Sequence, residues 1–208
     1  MAYLDVFRTK TALIKQLGED KAHLAWVLAL YLEEPDVEAL ASEAITDGHN
    51  DKKLDAIYLD RDGKRIVLAQ GFFAQRARDS APANKASDLN TGVAWLISGD
   101  VELVPDALKP AIEDCRGAIE DGDIDNIDLL YVHNLPESVN VTRELQTVAE
   151  HFRTALGDGA ITITSRELGS STIDHLFTTQ ESHIDVKDET LCPAQVAFTE
   201  TGPKWRPP

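Results

Sequence analysis

The sequence has little cysteine, no long apolar run and too few basic residues to balance its acidic ones. The two cysteines, Cys115 and Cys192, stand far apart and make no metal-ligand pair. They read as buried thiols of a reducing compartment. The longest apolar stretch, residues 24–32, is about nine residues, against the roughly 20 needed to cross a bilayer. Residues 1–10 mix polar and apolar side chains and hold no signal-peptide core. A cytoplasmic location is therefore expected. Also missing are the P-loop, the G-x-G-x-x-G fingerprint, H-E-x-x-H and G-x-S-x-G. Asp121, Asp123 and Asp125 imitate the start of a calcium loop, but Asn126 and Val132 stand where a glycine and a bidentate glutamate are required.

The charge deficit is large: 20 Lys and Arg against 36 Asp and Glu, a formal net of −16. A module that grips nucleic acid with a whole face usually carries the opposite excess, because phosphate neutralisation supplies most of the affinity. The distribution is uneven. Residues 100–128 hold ten acidic side chains against Lys109 and Arg116, a local net of −8. Residues 61–85 hold Arg61, Lys64, Arg65, Arg76, Arg78 and Lys85 against Asp62 and Asp79, a local net of +4. These are either two solvated surfaces or a basic stretch that faces nucleic acid while the acidic part keeps the protein in solution.

At 208 residues the chain suits one domain with a real core. Patterning predicts helices over 22–32 and 37–44, the second capped by Asp36. Residues 47–51 form a polar turn cluster. A β-hairpin comes next: strand 54–59, the turn Asp60-Arg61-Asp62-Gly63, and an apolar strand 65–73. Helical spacing returns over 84–97 and 108–119. Residues 128–133 read as a buried strand, 141–156 as a helix, and 160–165 as another strand. One more helical turn is expected at 171–177 and a last strand at 183–186. The order predicts an α/β domain with a central mixed sheet flanked by helices. We expect one domain over 1–200, with a helical lead-in over 1–46 and an α/β core over 51–190. Residues 201–208 are expected to be a tail cut from a longer chain.

The chemistry-bearing residues gather around the hairpin. Asp51-Lys52-Lys53-Leu54-Asp55 has D-x-x-x-D spacing, and Gln70 lies inside the apolar second strand. A buried amide needs partners, so Gln70 marks either a site or a polar structural link. Asp55 either opens a site or caps a turn.

Asp51 to Tyr58, Leu68-Ala69-Gln70-Gly71-Phe72, the helix Asn84-Lys85-Ala86-Ser87-Asp88-Leu89-Asn90 and the segment Tyr131-Val132-His133-Asn134-Leu135-Pro136 together resemble the N-terminal region of the AIPR (abortive phage infection) family. The hairpin also resembles the Mrr-like branch of the restriction-endonuclease superfamily, and the closer likeness, to the AIPR region, covers about residues 33–137. The resemblance implies a restriction-endonuclease-like fold, a role in phage defence and a Mg²⁺-dependent nuclease site. It places Asp55, Gln70 and Glu43 near the metal and makes Asp51, Asp88 and His133 further site candidates. Two positions depart from the family's pattern of D-x-G-x-D followed by Q-x-K. Lys53 replaces the glycine, and Phe72 stands where the catalytic lysine belongs. Phenylalanine can neither hold a water nor meet a phosphate charge. Lys85 is the candidate for a relocated lysine, its alternative being a solvated side chain at a helix start.

The resemblance leaves two main readings. One is an active Mg²⁺-dependent nuclease with Asp55, Gln70 and Lys85 as its catalytic set. The other, preferred because one carboxylate and a glutamine are a thin set for a hard cation, is a non-catalytic domain of the same fold with a binding or assembly role. Expected partners are nucleic acid through residues 61–85, the rest of a longer chain, or further copies of this one. A structural domain unrelated to defence is the third reading.

Overall fold

The computed structural model describes residues 2–46, 54–97, 99–157, 159 and 161–189, with side chains as far as Gln180. Asp51, Cys192 and the expected tail at 201–208 lie outside the described residues. The chain opens with four helices, α1 (Tyr3–Thr9), α2 (Thr11–Leu17), α3 (Glu19–Leu32) and α4 (Val37–Ala44). The hairpin β1 (Ala56–Asp60) and β2 (Arg65–Phe72) is next, then α5 (Ala83–Ser87), α6 (Leu89–Ile97) and α7 (Lys109–Glu120). β3 (Asn126–His133), α8 (Val139–Leu156), β4 (Thr162–Leu168) and α9 (Ser170–Glu189) complete it.

The four strands form one mixed sheet in the order β1-β2-β3-β4. β1 pairs antiparallel with β2, while β2, β3 and β4 run parallel. Alternation divides the strand residues between two cores. Ile66 and Leu68 of β2, with Leu129 and Tyr131 of β3, pack under α5, α6, α7 and α8. Val67, Ala69, Leu130 and Val132 pack on the other face, under α1, α3, α4 and α9. β2 and β3 are buried on both faces, which is why their sequences read as near-continuous apolar runs.

The helices form as their local sequence dictates. Asp36 caps α4 by accepting from the Ala39 N–H at 2.9 Å, as expected for a short acidic N-cap. After its charged first turn α3 is apolar apart from His23, and Ala22 through Ala29 are all buried, because the helix is enclosed between the sheet and the other lead-in helices. The hairpin turn closes when the Gly63 N–H donates to Asp60 Oδ1 at 2.8 Å. Among the described residues, no helix is long and apolar enough to cross a membrane.

Two expectations need correction. The helix read over 84–97 breaks at Asp88, where the Asp88 and Thr91 N–H groups bond three residues back, to Lys85 and Asp88. The strand expected at 183–186 is instead part of α9. Ile173 and Phe177, four residues apart, bury against the lead-in core, and Gln180 Nε2 donates to Leu30 O at 2.8 Å. That anchored stripe continues the helix through a segment whose alternation is too short to compete.

Candidate functional site

The carboxyl ends of β2, β3 and β4 and the beginning of antiparallel β1 share one edge of the sheet. Open α/β sheets bind ligands at this edge, where the strands stop and loops and helix ends can converge. Asp55 stands immediately before β1 and is held there by its backbone. Its N–H donates to Ala69 O at 3.0 Å, and its carbonyl accepts from the Thr46 N–H at 3.2 Å. Its side chain turns to the end of β2, where Oδ2 accepts from the Gly71 N–H at 2.8 Å and from Gln70 Nε2. Gln70 is 2% exposed, and its Oε1 has no hydrogen-bond partner. The glutamine therefore serves here as a donor that orients a carboxylate.

Asp55 lines a cavity of 240 Å³ with Gly71 and Phe72 of β2, Asp20 and Lys21 of α3 and Lys85 of α5. Burial, with the neighbouring Glu19 adding to it, holds the Asp20 carboxyl above its ordinary range. Lys21 Nζ donates to Thr46 O at 3.2 Å, which ties the first turn of α3 to the segment leading to Asp55. Phe72 is half-buried and packs on the α5–α8 core while one side meets the cavity. Lys85 thus shares a cavity with Asp55. Asp20 and Lys21 were missed by sequence reasoning, and the one available signal was a charged pair standing directly before an uninterrupted apolar helix.

The other candidates lie elsewhere. Glu43 is exposed on α4 and lines a separate depression with Tyr58, Asp60 and Arg61. Burial, and after it the Glu43 charge, raises the Tyr58 phenol. His133 is fully buried and does not line the cavity. Its Nε2 lies 3.0 Å from Glu167 Oε1, and its Nδ1 lies 3.1 Å from Leu135 O and 3.3 Å from the Leu135 N–H. Glu167 also accepts from the Ser138 N–H at 2.9 Å and the Thr142 hydroxyl at 3.1 Å, so the pair fastens β3 and β4 to α8. Asp88 ends α5, outside the cavity lining, and Asn90 faces His151 at 3.5 Å. Tyr131 lies beside Gln70 across the β2–β3 ladder. Burial holds its phenol above the ordinary range, with Glu167, Asp55 and Asp88 adding to the effect.

The basic stretch is divided between the two ends of β2, which at about 3.3 Å per residue are some 23 Å apart. Lys64 meets Asp125 at 3.7 Å, and Arg65 meets Asp60 at 3.2 Å and Asp128 at 3.9 Å. Those cations are answered by carboxylates at the hairpin end. Arg76 and Arg78 are exposed in the loop after β2, and Lys85 comes next on α5.

Among the described residues, the carboxylates that line the cavity, Asp55 and Asp20, are fewer oxygen donors than a hard divalent cation takes. Such an ion wants several oxygen ligands, usually with more than one carboxylate. Here Asp55 Oδ2 already accepts two hydrogen bonds, Gln70 has turned its N–H toward it, and Glu43 is at another depression. Two lysines line the same cavity, and among the described residues no cluster of three His, Cys, Asp or Glu is placed to hold a metal. Compared with family models, curated proteins and solved structures, the chain matches none.

Proposed function

We propose that the chain is a restriction-endonuclease-like domain of an AIPR-like phage-defence protein, working in the cytoplasm, whose cleavage site is degenerate and whose role is binding or assembly. The observation that carries this reading is Phe72. At the end of β2 it packs into the core and forms part of the cavity wall, at the position where the family resemblance requires an ammonium group. The donor set supports the same reading, because the Asp55 carboxylate is held by an amide and a backbone N–H.

An active Mg²⁺-dependent nuclease is the second reading, and one observation favours it: Lys85 lines the cavity that holds Asp55. Calorimetric titration of the full chain with Mg²⁺ and Mn²⁺ separates the two. The non-catalytic reading expects no saturable heat. Saturable binding that disappears in Asp55→Ala would favour the nuclease.

A further inference from the structure

We propose that Trp205, with Lys204 and Arg206 on either side of it, docks in a groove at the end of the sheet opposite the Asp55 cavity. The groove, of 690 Å³, lies where the ends of α7 and α8 meet the start of β4. Ile119, Leu156, Ile161 and Ile163 supply its apolar side chains, and the first three are only partly buried. The volume is within the range of about 300–1,000 Å³ typical of ligand pockets and admits an indole ring. Tryptophan is among the side chains that most often anchor a contact of this kind.

The charges beside the groove favour cations. α7 ends at Glu120, directly after Ile119, and runs on into Asp121 and Asp123. All three are exposed, and none has an ion-pair partner among the described residues. Arg153 also lines the groove, but its guanidinium is held by Glu150 Oε2 at 3.0 Å and Ile163 O at 2.8 Å. Asp125, at the same end, meets Lys64 at 3.7 Å. Glu120, Asp121 and Asp123 therefore form an acidic rim on an apolar groove, the complement of a tryptophan between two cations.

Residues 190–208 lie outside the described residues, but α9 carries the chain to the right end of the sheet. It starts just after the carboxyl end of β4, and by Gln180 it has reached Leu30 in the last turn of α3. Tyr31, in that same turn, donates to Asp128 at 3.0 Å, near the beginning of β3. The groove opens at this end, on the other face, and β4 is the edge strand between them. Residues 190–204 can span about 50 Å, several times the roughly 10 Å between packed layers. Residues 201–208 carry Lys204 and Arg206, no acidic side chain, and Pro203, Pro207 and Pro208. The prolines reduce the backbone freedom lost on docking. Because the segment belongs to the same chain, its effective concentration is on the order of millimolar, so a modest contact suffices.

The test is fluorine NMR of the full chain labelled with fluorotryptophan. The three tryptophans give three resonances; Trp205→Phe identifies one of them, and a peptide of residues 201–208 gives its undocked position. The expected Trp205 resonance is distinct from the peptide's and unchanged on dilution. Glu120→Lys combined with Asp121→Lys should lower the docking constant by at least about fivefold and move the resonance toward the peptide's. Ile161→Asp should move it the same way. Trp26 and Trp95, buried in α3 and α6, report whether each variant keeps its fold. If Ile161→Asp disturbs them, the exposed rim variant carries the test alone. A parent Trp205 resonance at the peptide's position, or one left in place by the rim variant or by a folded Ile161→Asp, would overturn the proposal. Docking that is lost on dilution, with a dimer seen by sedimentation at high concentration, would make the occupant a second copy and overturn it too. None of these outcomes bears on the reading of the Asp55 site, which lies at the other end of the sheet.

Discussion

The Gln70 side-chain amide donates to Oδ2 of Asp55, joining the end of β2 to the residue that precedes β1. The Gly71 N–H reaches the same oxygen at 2.8 Å. Asp55→Ala leaves both donors without that acceptor, and Gln70 is almost wholly buried. The expected loss of stability is about 1–3 kcal/mol in denaturant unfolding. Replacing both residues, in Asp55→Ala with Gln70→Leu, should cost less than the sum of the single changes, because the stranded amide is gone. Strict additivity would show that the two side chains do not act as a pair.

Phe72 is half-buried and gains its stability from apolar contact with the core. Phe72→Lys should still fold, since a lysine stem can lie along the same wall with its ammonium in the cavity. A loss of about 1–2 kcal/mol is expected. Cleavage should not appear in this variant, because Asp55 Oδ2 still accepts from the Gln70 amide and the Gly71 N–H. Metal-dependent cleavage by Phe72→Lys would mean that the missing lysine was the sole defect.

His23 lies in α3 among the rings of Tyr3, Phe7 and Phe73 and is 1% exposed. Burial, and to a smaller extent His133, lowers its pKa from the ordinary value near 6.5 to about 3. Between those two values the unfolded chain binds a proton that the folded chain refuses. The contribution of neutral His23 is thus complete above pH 6.5 and is lost as pH falls toward 3. Its size is on the order of 5 kcal/mol. Unfolding measured from pH 7 to pH 4 should show a weaker acid dependence in His23→Phe than in the parent. Identical slopes would contradict this.

Cys115 is 1% exposed in α7, and burial, with Asp114 adding to it, raises its thiol to about 12. The thiolate is the reactive form. Alkylation at pH 8, mapped by mass spectrometry, should therefore leave Cys115 unmodified in the folded chain and modify it rapidly in denaturant. Fast modification without denaturant would place the residue in an open environment.

Alternation and turn chemistry were enough to place β1 and β2, because Ile57, Ile66 and Leu68 face one core while Val67 and Ala69 face the other. The hairpin also brought Asp55 and Gln70 within bonding distance, as two consecutive strands must when their register is set by a short turn. The cavity was less legible. Lys21 reaches it from a helix about 35 positions before Asp55 in sequence, and local periodicity holds no information about which helix end meets which strand end. Glu43 was placed on the right helix, but its side chain lies on the solvent side of α4, beside Tyr58. The strand expected at 183–186 failed because Ile173 and Phe177, several turns earlier, anchor α9 on the lead-in core and carry its helical run through that segment.

The most direct test of the central claim is a cleavage assay. The purified full chain is incubated with Mg²⁺ or Mn²⁺ and with single- and double-stranded DNA and RNA, beside Asp55→Ala and Lys85→Ala. The account predicts that no nucleic acid is cut beyond the level of the two variants. Metal-dependent cleavage by the parent chain that disappears in both variants would contradict it.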